Sequence, residues 1–123
     1  MARRRPAVFR GLVAFEYVRA IAGEIDEKSV ESWERFTHRV IRGVEEIVAS
    51  YPAGKTVAVF TSGGPISAVM QYALDTTDRI ALSLGWVVKN ASINEFKYRG
   101  DRFSLTGFNM TPHFEEDIYE TYR

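Results

Sequence analysis

The chain has 123 residues, of which 46% are hydrophobic and 13% aromatic, enough apolar material for one compact domain and too much for a globally disordered chain. Sixteen basic and sixteen acidic residues cancel, which argues against a nucleic-acid binder; the Arg3-Arg4-Arg5 cluster is local and reads as a solvated tail. With no cysteine and two histidines, neither a disulfide framework nor a transition-metal ligand spacing is available.

In chain order, residues 7–22 place Val8, Leu12, Phe15, Val18 and Ile21 at roughly helical spacing, with Gly11 as a weak point. The next pattern is stronger. Val30, Trp33, Phe36, Val40, Val44, Ile47 and Val48 recur every three or four residues, and Glu34, Arg35, His38, Arg39, Arg42, Glu45 and Glu46 fill the other side. That spacing predicts an amphipathic helix over about 27–50, capped by Asp26 or Ser29 and stopped at Tyr51-Pro52-Ala53-Gly54.

Residues 56–61 (TVAVFT) then read as a strand, continuously apolar as a strand covered on both faces would be. A helix over 65–74 follows, with Ile66, Val69, Met70, Ala73 and Leu74 inward, and a short helix over 79–86 with Ile80, Leu82 and Leu84. Residues 91–98 and 102–108 flank Arg99-Gly100-Asp101 as a hairpin with a glycine-containing turn, and that turn explains the tripeptide better than adhesion does. The acidic tail from 111 onward, with Glu115, Glu116 and Asp117, reads as solvated and not as a cation site. The order is α/β with too few strands. One buried strand and a hairpin make a thin sheet, and a buried parallel strand needs neighbours.

Between the strand and the following helix stand Ser62, Gly63, Gly64 and Pro65. A helix N-terminus exposes unpaired N–H groups and partial positive charge. Glycines admit close backbone approach and positive φ, and a serine hydroxyl can donate to an oxyanion. The amides of 62–66 are thus expected to converge on an anion; the alternative is a tight turn with no ligand. The segment is no Walker A loop, no dinucleotide fingerprint and no nucleophile elbow.

The stretch VAVFTSGGPISAVMQYAL resembles a block of the histidine phosphatase (phosphoglycerate mutase-like) superfamily, in which a strand ends in Ser-His-Gly-Gly before an apolar helix. The likeness extends to Trp33, Phe36, Arg39 and Val40 before it, and to Asn90-Ala91-Ser92-Ile93, Asn109 and Pro112-His113 after it. It implies a partial three-layer α/β/α sandwich of the phosphoglycerate mutase-like type with a C-terminal β-hairpin, the whole 1–123 forming one apparently truncated domain. It further implies a phosphomonoester hydrolase or phosphoryl transferase ancestry, with Ser62, Gly63 and Gly64 as phosphate ligands. The family nucleophile is a histidine in Arg-His-Gly, which this sequence lacks; Ser62 stands where the later histidine would.

Little or no activity by the family mechanism is therefore expected. The alternatives are a non-catalytic phosphate-binding module, and a serine-dependent esterase with Ser62 as nucleophile and His113 as base. His38 is expected on the exposed helix face, and Asn90 and Asn109 in structural roles. The expected partners are a phosphorylated small molecule or other anion and a second copy of the chain completing the sheet, with no nucleic acid, membrane, metal or cofactor. No apolar run reaches the roughly 20 residues of a membrane span. Glu16 and Arg19 interrupt any signal-like core, so a cytoplasmic setting is expected.

Overall fold

A computed structural model describes residues 31–51, 54–115 and 120–122. Among them lie three helices and one hairpin: α1 (Trp33–Ser50), α2 (Gly63–Leu74), α3 (Asp78–Trp86), β1 (Ile93–Arg99) and β2 (Arg102–Met110). The helix expected over 7–22, the arginine cluster, and Glu116 and Asp117 fall outside the described residues. The mixed α/β character with a C-terminal hairpin is as expected, and it is consistent with part of a phosphoglycerate mutase-like fold.

α1 follows its sequence pattern. Trp33 is buried, Phe36, Val40, Val44, Ile47 and Val48 are half-buried, and Glu34, Arg35, His38, Arg39 and Arg42 are exposed. Its cap is Ser32, whose hydroxyl accepts from the Arg35 amide at 3.2 Å, and not Asp26 or Ser29. The three-residue spacing between cap and accepting amide makes Ser32 the one that fits a helix opening at Trp33. On the solvent side Arg39 forks Glu31 at 3.0 and 2.8 Å and lies over the Phe36 ring.

The strand expected over 56–61 does not form. The segment carries no ladder among the described residues, and the only sheet there is the two-stranded hairpin. Val59 is 60% exposed and Phe60 97% exposed. Apolar continuity marks a segment suited to burial on both faces, but a ladder needs a neighbouring strand, and none among the described residues supplies it.

α2 opens two residues earlier than expected, at Gly63, with Ser62 as N-cap. Pro65 is thereby the third residue of the helix, which is harmless because first-turn amides have no helical acceptor. Its inward face is smaller than predicted: Gly63, Ser67, Ala68 and Met70 are buried, whereas Leu74 is 46% exposed. Asp75, in the left-handed region at φ 47°, ends the helix, and its amide bonds back to the Gln71 and Tyr72 carbonyls. Thr77 caps α3, accepting from the Ile80 amide, and Ala81 is its buried residue while Ile80 faces solvent.

Small residues let the helices approach, and Trp33, Ala68 and Ala81 form the core with Phe36, Val40 and Leu82 packed around it. A polar thread crosses the same three helices. The Trp33 indole donates to Gln71 Oε1 at 2.9 Å, and Gln71 Nε2 donates to Asp78 Oδ1.

The hairpin is antiparallel, with Phe96 opposite Leu105 and Tyr98 opposite Phe103. Gly100, at φ 61°, makes the two-residue turn. Register shifts near Glu95 bring Gly107 under the Met110 side chain, which leaves no room for a Cβ there. The ring of Phe103 meets Tyr72 of α2 at 5.4 Å, and Tyr98 donates its hydroxyl to the Tyr51 carbonyl, so the hairpin closes against both helices.

The tail is more ordered than its composition implies. Tyr122 forms a bridge with Lys89, the Asn90 amide donates to the Thr121 carbonyl, and Lys89 pairs with Glu120 at 2.6 Å, with about a fifth of each side chain exposed. The Lys89 hydrogen bond holds the Glu120 carboxyl below its ordinary range. Burial opposes that shift, and Thr111, donating at 3.1 Å, reinforces it.

Two outcomes follow. Gln71→Leu, which cuts the thread between α1 and α3, should lower the urea midpoint by an amount equivalent to about 1–3 kcal/mol; an unchanged midpoint would mean the thread carries no stability. For Glu120 the folded pKa lies below the unfolded one, so its stabilisation is present above the unfolded value and is lost as pH falls through the folded one. Wild type should therefore unfold later than Glu120→Gln at neutral pH, and the gap should close in acid as that carboxyl protonates. A gap that persists at low pH would contradict this.

Candidate anion-binding site

Ser62 sits where segment 55–61, which has no regular secondary structure, runs into α2. Its backbone is extended (φ −119°, ψ 175°), its carbonyl accepts from the Ile66 amide at 3.2 Å, and its side chain makes no capping bond. That separates it from Ser32 and Thr77, whose hydroxyls are both spent on the first turns of their helices. Ser62 is exposed, so its hydroxyl is free to meet a solute.

The donors are fewer than the five-residue span 62–66 suggested. Pro65 has no N–H, and the Ile66 amide is already used. The amides of Gly63 and Gly64 have no acceptor within the helix, because first-turn donors precede the first available carbonyl. Gly63 is buried and Gly64 half-buried, so Ser62 and Gly64 form the open side of the cradle. Neither glycine uses positive φ; among the described residues that is reserved to Gly54 and Gly100 for glycine, and to Asp75, Ala91 and Asn109 otherwise. The expected torsional freedom at 63–64 is therefore not what the structure exploits. Absence of bulk is.

The electrostatics favour an anion. α1 carries Glu34 and α3 carries Asp78 in the first turn, each a built-in counter-charge to the helix dipole. α2 has no acidic residue there, so the positive end of its dipole is not answered from within.

The other candidate residues lie elsewhere. His113 is exposed in the turn after β2, its ring edge-on to Phe114 at 4.6 Å, and no hydrogen bond joins it to Ser62. His38 is exposed on α1, as its helical position required. Asn109 is a structural hub. In the left-handed region at φ 58°, it accepts the Lys89 amide on Oδ1, donates Nδ2 to the Val87 carbonyl, and gives its own amide to Asn94 Oδ1. Asn90 ties the tail through Thr121 at 3.0 Å. Among the described residues no group of three histidine or carboxylate side chains could hold a metal ion, and no helix is long and apolar enough to cross a membrane.

One participant escaped the sequence reading. Ser67, 3% exposed, donates its hydroxyl to the Gly63 carbonyl at 2.9 Å and packs against Gly85 of α3. The signal was present as small residues four apart on both helices, Gly63 and Ser67, Ala81 and Gly85, a spacing that marks close approach of two helix faces.

The family comparison covers this whole arrangement. The profile of the histidine phosphatase superfamily (branch 1) matches residues 14–111, a span running through α1, the Ser62 junction, α2, α3 and the hairpin. No curated protein and no solved structure matches the chain significantly. A match over most of the sequence, with its apolar helix placed directly behind the Ser-Gly-Gly junction, shows that this chain belongs to the histidine phosphatase superfamily, branch 1.

Proposed function

We propose that this chain binds a phosphorylated small molecule, or a related oxyanion, at Ser62, Gly63 and Gly64, and turns it over slowly or not at all by its superfamily's mechanism. The carrying observation is the α2 N-terminus: a serine hydroxyl not spent on capping, two glycine amides beyond reach of any helical acceptor, and no carboxylate in the first turn. Superfamily membership supports a phosphate group as the guest, since these proteins bind phosphorylated substrates. The expectation of weak turnover rests on the sequence itself, in which His38 is followed by Arg39 and His113 by Phe114, and Arg-His-Gly does not occur. Ser62 can hydrogen-bond a phosphoryl oxygen, but it is neutral and supplies no cationic charge to the transition state.

A homodimer fits the same geometry. The segment that delivers Ser62 has no ladder among the described residues and leaves Val59 and Phe60 in solvent, and its strand-forming composition suits pairing with another strand. A second copy presenting the same uncharged stretch, 56–61, antiparallel would pair with it and bury both phenylalanines, at about 1.5–3 kcal/mol each. The absence of cysteine suits a cytoplasmic setting.

Inorganic phosphate at about ten times its Kd should stabilise the wild type by about 1.4 kcal/mol in a thermal-shift titration. Ser62→Ala should weaken that binding about tenfold, the worth of one hydrogen bond to a charged group. p-Nitrophenyl phosphate should release little or no product with either form. A protein that gains no stability from phosphate would defeat the binding reading, and brisk turnover would defeat the mechanistic one. Separately, light scattering at micromolar concentration should give twice the chain mass, reduced to a single mass by Phe60→Lys; a wild type that is already monomeric would rule the dimer out.

A further inference from the structure

The anion cradle has a floor that touches no solute, and that floor belongs to another helix. The Ser67 hydroxyl donates to the Gly63 carbonyl inside the first turn of α2, in a buried bond of 2.9 Å. This is the same carbonyl that the α-helical pattern offers to the Ser67 amide, and such back-bonding from a serine adjusts the local course of a helix. Directly behind lies Gly85. A Cβ built there would overlap the Ser67 hydroxyl, would meet Ser67 Cβ at 3.4 Å, and would sit 4.0 Å from the Gly63 carbonyl. The backbone of α3 thus rests on the first turn of α2 with only a serine oxygen between.

α3 is itself held. Ala81 and Ala68 are fully buried in the contact between the two helices, Asp78 receives the Gln71 amide group, and the far end of α3 is pinned by Asn109 Nδ2 to the Val87 carbonyl at 2.6 Å. α3 and the cradle are consequently in close contact through small groups, which transmit displacement with little give, and a hydrogen bond joins the end of α3 to the hairpin.

We propose that Ser67, clamped between the Gly63 carbonyl and Gly85, is the positioning residue of the cradle: it sets the direction of the Gly63 and Gly64 amides without touching the ligand. This rests on the anion-binding reading of Ser62–Gly64. An anion held by two amides and one hydroxyl is sensitive to small errors in their aim, so the clamp acts on affinity as well as on stability. Ordinary helix packing would make the same contacts matter for stability alone.

The test is a double-mutant cycle on the full chain, with inorganic phosphate as the probe, following the amide resonances of Gly63 and Gly64 and, in parallel, urea unfolding. Ser67→Ala removes the hydroxyl without adding bulk and should weaken phosphate binding a few-fold, about 3–10 times. Gly85→Ala forces the hydroxyl out of place and should weaken it by about tenfold or more while unfolding stays cooperative. In the double variant the added methyl meets the Cβ at 67 and the Gly63 carbonyl at ordinary contact distances, so it should bind like Ser67→Ala and no worse. Unaltered phosphate affinity in a folded Ser67→Ala, or strictly additive losses in the double variant, overturns the proposal; Ser67→Ala alone decides if Gly85→Ala does not fold. Wild-type Gly63 and Gly64 amides that ignore phosphate bring down the anion-binding reading itself, and the positioning role with it, which separates that failure from failure of the clamp.

Discussion

Three helices of modest length stay together because one of them, α2, is narrow on its inner side. Gly63, Ser67 and Ala68 present almost no bulk, and Ala81 and Gly85 of α3 answer them with as little. Trp33 of α1 then fills the remaining space, 3% exposed, and its indole N–H enters a polar thread that reaches all three helices, through Gln71 to Asp78. A large apolar core would tolerate some slack. Contacts made by backbone and methyl groups tolerate very little, because each lost ångström removes a sizeable share of the dispersion attraction. The rest of the chain is arranged around this contact: the hairpin leans on α2 through Phe103 and Tyr72, and the tail returns to Lys89 beside the end of α3.

The same constraint shapes the candidate site. An N-terminal helix turn becomes an anion receptor when its donors are left unspent and its dipole unanswered. In α1 and α3 both conditions fail, since a cap hydroxyl and an acidic side chain occupy the turn. In α2 both hold, and the buried Gly63–Ser67–Gly85 contact keeps the turn from relaxing into some other arrangement. The superfamily to which the chain belongs binds phosphorylated substrates, while the sequence of this chain has no Arg-His-Gly to supply the usual nucleophile. Binding geometry and chemical competence are thus separable properties of such a junction.

Segment 56–61 shows where local pattern and tertiary outcome part. Val57, Ala58, Val59 and Phe60 carry every local mark of a buried strand, yet the segment has no ladder among the described residues, with Phe60 almost wholly in solvent. β structure is a property of pairs, so the residues of one segment state a capacity that only a neighbour can realise. Tail residues 120–122 err in the opposite direction: an acidic composition reads as solvated, but Glu120 finds Lys89 and Thr111, contacts 31 and 9 residues away in sequence that no local window contains.

What the sequence determined by itself is whatever repeats within a few residues or sits in a short signature: the amphipathic face of α1, the existence of α2 and α3, the Gly100 turn of the hairpin, and the Ser-Gly-Gly junction with its family likeness. Helical periodicity and turn chemistry are local physics, and they survive any packing that respects them. Tertiary structure alone decided that Ser32 and not an earlier residue caps α1, that Gly63 and Gly64 do without positive φ, and that Ser67 and Gly85 meet behind the first turn of α2. Each of those depends on where a second element lies in space, and a hydrogen bond or steric contact between distant residues has no counterpart in the order of the residues between them.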